Sequence, residues 1–551
     1  MQDHREENPI DDETILPQFK CHSYRFNEDE ILNRFKVISH DIGDKVISLS
    51  EDVLLTCDSW SNPKSNIRKL EEAINNPRKK HLVFYDMWHD DIVEKILLLF
   101  CEHRNRYWSS IEFRGCQERH INAILECALK MDIVQTIAFS LTNDRYDPTK
   151  VCRNSTFDII ARSMTNNQWL ECLVFHSRPM HFIRYESLKN LNVKRLHFLE
   201  GILLHPNEIP ELAAGLRANH SLLSFSFLGG TLASNGNDIS NIVDALKSHP
   251  SLKRLILCLK SSSEDGVNGL SDLIRCQNSD LESLTLMGGF TLTSLFPPAT
   301  LSEGLKRSKL KHLHLKDICL FPSDVQDMAI GLKSNRFIES LSIVLDASNR
   351  TVDVSPIAFA IQNNHNLQRL ALSGKCSLGP GVSGIAELLS SEKSKLKNLH
   401  LSGAFLDKES RHEGFLRIFL HGLRGNQRLE SLDLSVNALS DEEVSMIYKE
   451  VSTCRALDNL DLGMNDITAN VVESFVEVNT PNNLAVLRIS SQKFSFFEIN
   501  DQVCQRLIKL LTTNPRLGDV NFNMGLVEWH HSYQESGKMQ WRRKLLQPEM
   551  V

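Results

Sequence analysis

The chain has 551 residues, with 62 Lys and Arg against 69 Asp and Glu and a formal charge of −7; its pI is about 6.3. So even a balance supplies no reason to expect nucleic acid or an acidic membrane surface as partner. No apolar run approaches the roughly eighteen residues of a membrane span, and Met1 to Glu30 lack the apolar core of an export signal, so a soluble cytoplasmic protein is expected, with the nucleus left open.

Residues 1–40 read as a polar, acidic segment. Beyond them a short apolar string recurs, faintly at Ile47-x-Leu49 and Leu82-x-Phe84 and unevenly spaced from Trp108-x-x-Ile111-x-Phe113 through Val134 and Leu170. Val193-x-x-Leu196-x-Phe198 and Leu222-x-x-Phe225-x-Phe227 carry aromatics at the apolar positions. The strings that follow open at Leu252, Leu281, Leu310, Ile338, Leu367 and Leu396, at steps of 29, 29, 28, 29 and 29 residues. Later copies open at Leu429, Leu457, Leu484 and Leu517. A period this regular marks a solenoid.

Each string is too short for a helix and ends in period-two alternation, so it predicts a short strand with every second side chain inward. Helical spacing occupies Ile239–Lys247, Asp324–Lys333, Glu442–Val451 and Val503–Leu511. Ser323-x-x-Gln326 and Ser440-x-x-Glu443 read as capping boxes at two helix starts, and pairs such as His249-Pro250 and Asn514-Pro515 end helices just before the next strand. A strand joined to the next parallel strand by a helix cannot bury its apolar face alone, whereas stacked copies share one core. Helices are bulkier than strands, so the expected fold is α/β: a curved solenoid over residues 41–524 with parallel strands on the concave face and helices on the convex face. About sixteen strands at roughly 4.8 Å per step give an inner arc on the order of 75 Å. Residues 525–551 are expected to cap the last repeat or to form a tail.

Leu429-x-x-Leu432-x-Leu434-x-x-Asn437-x-Leu439 and Leu457-x-x-Leu460-x-Leu462-x-x-Asn465-x-Ile467 resemble the leucine-rich repeats of the ribonuclease-inhibitor-like class. The resemblance implies that Asn437 and Asn465 are structural, satisfying loop backbone groups. Other units depart from the longer consensus, with Gly289, Ile318, Lys375 and Ala404 at the Asn place.

Motifs for chemistry are sparse. Gly379-Pro-Gly381-Val-Ser-Gly384 has the form of a dinucleotide-binding turn, with Asp407 downstream, yet Leu367 and Leu396 bracket it at the ordinary step, which makes it the loop and helix start of one repeat. No phosphate-binding loop, zinc-protease helix, nucleophile elbow or kinase signature occurs, and no cofactor is expected. Thirteen cysteines, scattered and without a Cys-x-x-Cys pair, read as reduced thiols.

Function is therefore sought in the outward residues between the leucines. His312 and His314 share one strand and His400 lies three strands on, too far for a common metal shell, so these histidines read as solvated. Asp433 and Asp461 should be direct neighbours on parallel strands, an unfavourable juxtaposition that Arg488 on the next strand offsets in part. The enlarged repeats, the second with Phe494-Ser-Phe-Phe497, could rim a site. The expectation is a non-enzymatic scaffold, monomeric apart from a protein partner, binding through His312, His314, Arg369, His400, Asp433, Asp461 and Arg488, with no nucleic acid and no membrane. The rival reading is a regulator of an enzyme, of the GTPase-activating or inhibitor type.

Overall fold

The computed structural model describes residues 53–57, then, with breaks, 71–140 and 159–288, without a break 300–345, 351–405 and 413–468, and, with breaks, 471–545. Its main element is a curved nineteen-stranded sheet. Parallel neighbours follow the chain from Val53–Cys57, paired with His81–Tyr85, to Asp519–Asn523. The regular strings pair in register, Leu284 with Leu313, Leu313 with Leu341 and Leu341 with Leu370, so equal positions of successive units stack in rows. The first strand is Val53–Cys57; Ile47-x-Leu49, read as the faint first unit, lies outside the described residues. Past the last parallel strand, Val527–Tyr533 and Met539–Leu545 extend the sheet antiparallel.

The core is one band running the length of the solenoid. Leu255, Leu284, Leu341, Leu399, Leu432 and Leu460 are all fully or almost fully buried, and each such side chain contributes about 1.5–3 kcal/mol. Toward the N-terminus the final apolar position of the string is aromatic. Phe84, Phe113, Phe139, Phe175 and Phe198 stack with centroids 5.5, 6.0, 5.2 and 5.2 Å apart. Adjacent parallel strands are close enough to hold such rings in offset stacks, which is how a Phe row does the work of a Leu row here.

Helices Pro322–Ser334, Ser355–Ile361, Val382–Ser390, Glu413–Leu423 and Asp441–Val451 form the convex layer. The Ser440 box forms: Glu443 N donates to Ser440 Oγ and Ser440 N to Glu443 Oε2. The box expected at Ser323 is replaced by half of one two residues earlier: Pro322 takes the first helical position, and the N-cap Phe321, which has no side-chain acceptor, donates its backbone N–H to Asp324 Oδ2. Leu510 apart, Val503–Leu511 lies outside the described residues.

The glycine-rich stretch packs helices. A Cβ on Gly381 would stand 2.6 Å from Ser355 Cα, and one on Gly384 2.8 Å from Ala358 O. Both glycines therefore serve close approach of their helix to the preceding one, as Gly422 does against Ala386.

Candidate functional site

Four consecutive parallel strands, Asn398–His400, Ser431–Asp433, Asn459–Asp461 and Val486–Ser490, bring together His400, Asp433, Asp461 and Arg488. Strand register sets His400 against Asp433, Asp433 against Asp461 and Asp461 against Arg488. His400 Nδ1 lies 2.6 Å from Asp433 Oδ2, and Arg488 donates to Asp461 Oδ2 at 3.4 Å. The second oxygen of each aspartate turns back on its own chain: Asp433 Oδ1 accepts from Ser435 N at 2.8 Å and Asp461 Oδ1 from Gly463 N at 2.9 Å. Each carboxylate thus closes the turn that leaves its strand.

This row is not solvated, contrary to the sequence-based expectation. His400 is 3% exposed, Asp433 6% and Asp461 7%, while Arg488, His312 and His314 are half-buried and Arg369 is exposed. Pointing away from the core is not the same as reaching water. On a concave sheet neighbouring side chains converge, so a short carboxylate sinks between longer neighbours.

Burial and charge then split the acidic pair. Asp433 is raised by burial, but the adjacent His400 and the Ser435 donors outweigh this and hold it below the ordinary carboxylate value. Asp461 is pushed up to about 6, by burial first and by the charge of Asp433 second. Arg488, at a longer distance, only partly offsets this.

Farther along the same face, burial, with the cations Arg254 and Arg369 nearby, lowers His312 to about 4; burial, His312 and the same arginines lower His314 to about 3. Strands Ser340–Leu345 and Arg369–Ser373 separate these histidines from His400. Among the described residues no three His, Cys, Asp or Glu gather as a metal-binding group.

The turns after the strands carry the asparagines. Asn437 accepts from Phe405 N and donates to Leu401 O and Leu434 O; Asn465 accepts from Asn437 N and Leu439 N and donates to Leu434 O and Leu462 O. Each amide ties its own turn to the repeat before it. Immediately before each asparagine, Val436 and Met464 sit at φ 57° and 56° and are 42% and 43% exposed. A β-branched residue at positive φ is strained. No sequence signal marked this pair; the residue before each consensus asparagine was the place to look.

A second ladder closes the other end of the unit. Asn219 donates to Leu188 O and Leu191 O and accepts from Leu222 N. Asn335 does the same between Leu305 O and Ile338 N, and Asn426 between Leu389 O and Leu429 N. Each stands three residues before a strand string, where the sequence suggested only helix termination.

The residues Phe494 to Phe497 lie outside the described residues, so no position is assigned to that rim.

No protein-family model matches the chain. It is similar to NACHT, LRR and PYD domains-containing protein 14 of Mus musculus, 28% identical over 218 residues that cover 39% of this chain and 20% of that protein. It is also similar to NACHT, LRR and PYD domains-containing protein 5 of Bos taurus, 26% identical over 270 residues, 47% of this chain and 23% of that protein. The matching segment thus spans about a fifth of these relatives. Among solved structures, the TLR13-ssRNA13 complex aligns over 82% of this chain and 65% of its own, at 15% identity and a TM-score of 0.32. The 28- to 29-residue period and the in-register parallel strands are those of a curved leucine-rich-repeat solenoid, and the similarity to these two NACHT, LRR and PYD domains-containing proteins supports a leucine-rich-repeat protein.

Proposed function

We propose that the protein is a non-enzymatic, cytoplasmic scaffold that binds a protein partner through the concave strands and the turns that leave them, and that its repeats are of the ribonuclease-inhibitor-like class. The observation that carries this reading is the pair Val436 and Met464. Two apolar side chains are held toward solvent by strained turns, beside the charged row that ends in half-buried Arg488. Strain and exposed apolar surface both cost stability, and their coincidence next to polar groups fits a binding anchor with a polar rim. His400, Asp433 and Asp461 lie under that surface and act as positioning residues for its turns.

Proximity labelling in cells, followed by pull-down with the purified chain, identifies the partner. Val436→Asp with Met464→Asp should abolish capture, whereas Ile330→Asp, on the convex helix Pro322–Ser334 and 60% exposed, should leave it intact. Equal capture by both variants would overturn the assignment to this face.

A further inference from the structure

The concave face changes sign along its length, and this bears on what the partner brings to it. On the strands Arg254–Cys258, Ser283–Met287, His312–Ile318, Ser340–Leu345 and Arg369–Ser373, the first outward positions run Arg254, Ser283, His312, Ser340, Arg369 in direct register. Long cationic or imidazole side chains alternate with buried serines, Ser283 at 9% and Ser340 at 4% exposure. The serines leave room over which the arginines can lie. We propose that this row takes up a short acidic segment of the protein partner in extended conformation, with carboxylates seated at Arg254 and Arg369 and a central one against His312.

Spacing supports it. Arg254, His312 and Arg369 are two strand steps apart in turn, roughly 10 Å at about 4.8 Å per step, which an extended peptide crosses in about three residues. Charge supports it as well. Lys253 and Lys311 both lie within ion-pair reach of Glu282, at 3.8 and 2.6 Å, so among the described residues at the first outward positions of these strands and just before them four cations, these lysines and the two arginines, stand with two carboxylates, Glu282 and Glu339. His312 and His314, lowered first by burial, are lowered further by Arg254 and Arg369.

The window is bounded. Before it, Arg195 lies 3.8 Å from Glu171; after it come Asp433 and Asp461. A long polyanion following the groove would run onto that acidic pair, and between Arg254 and Arg488 neither outward row holds a Phe, Tyr or Trp, the large rings on which successive bases stack. A short acidic peptide fits where a nucleic acid strand does not.

The inference rests on the concave face being the binding surface, and its test separates the two. A fluorescein-labelled ten-residue peptide with Glu at every third position and Ser or Gly between is titrated with the full chain at low salt. A Gln-for-Glu version and a ten-nucleotide uridine RNA serve as comparisons. The Glu peptide should bind at least ten-fold tighter than either, weaken with salt, and lose at least ten-fold in Arg254→Ser/Arg369→Ser but not in Arg488→Ser. Arg369 is exposed, so Arg369→Ser alone keeps the test open if the double variant unfolds. Indifference to Glu against Gln, indifference to the arginines, or tighter RNA binding would each overturn the proposal. If the partner is still lost on Val436→Asp/Met464→Asp, the concave reading survives that outcome.

Discussion

Asp433 and Asp461 stand directly opposite one another on adjacent parallel strands, both almost buried, and are driven in opposite directions: Asp433 is held ionised by His400 and Asp461 is pushed toward its protonated form. The asymmetry follows from distance, since His400 approaches one carboxylate to 2.6 Å and Arg488 the other only to 3.4 Å. Two like charges in one low-dielectric row cannot both be ionised without cost.

Their amide variants should therefore separate. Asp433 is depressed when folded, so its stabilisation is present above the ordinary carboxylate value and is lost as pH falls through the lower folded one. Asp461 is raised, so its contribution is full below about 3.8 and is lost as pH rises through about 6. At pH 7 Asp433→Asn should cost roughly 1–3 kcal/mol, while Asp461→Asn should be neutral or stabilising by up to about 2 kcal/mol, a gain that disappears at pH 4. Urea unfolding at the two pH values measures this. Equal losses in both variants would refute the asymmetry.

Three concave histidines set an acid limit. Burial and neighbouring cations lower His197 and His314 to about 3 and His312 to about 4. All three are depressed bases, so the unfolded chain takes up protons that the folded chain refuses; stability is full above about 6.5 and falls as pH drops toward 3–4. His197 is the most buried of them, with its ring Nδ1 2.8 Å from Ser226 Oγ. Thermal unfolding between pH 7 and 4 should show a shallower decline in His197→Gln than in the parent chain. Parallel curves would place the acid sensitivity elsewhere.

The asparagine of the turn should matter more than its polarity suggests. Asn437→Ala removes partners from Phe405 N, Leu401 O and Leu434 O in a fully buried position. A loss of roughly 2–4 kcal/mol is expected, since each stranded buried group costs about 1–3 kcal/mol. It should be seen in denaturant midpoints without change in slope. A loss below about 0.5 kcal/mol would mean that the turn re-forms its bonds without the amide.

Val436 provides the opposite case. At φ 57° and 42% exposed, it should be improved by Asn, which tolerates the left-handed region, with a gain of up to about 1 kcal/mol. Under the proposed function that gain comes with weaker partner capture, so calorimetry and pull-down should move in opposite directions. Improved stability with undiminished capture would leave the turn strained for some other reason.

Core truncation tests the register itself. Leu313 is 2% exposed between in-register leucines on both neighbouring strands, and Leu313→Ala should cost about 2–5 kcal/mol. Unchanged unfolding would place Leu313 outside the core.

Alternation and period were enough to place the regular strands. Leu-x-x-Leu-x-Leu leaves no other face for its leucines, and a 29-residue step leaves room for one helix, so the strands of the regular repeats and helices such as Asp441–Val451 follow from local physics. The same logic singled out His400, Asp433, Asp461 and Arg488 as one row, because equal offsets in equal repeats must come into register. Local pattern carries no measure of curvature, however. Only when the strands stand side by side on a concave sheet does it emerge that Asp433 and Asp461 are buried, that His400 is close enough to hold one of them ionised, and that Asn219, Asn335 and Asn426 bond across repeats as well as ending helices. The strain at Val436 is likewise invisible in sequence, because its φ is imposed by the turn that Asn437 and Asn465 tie to the neighbouring repeats. Periodicity decides which face a side chain takes; the packing of neighbouring repeats decides how much water and charge it meets there.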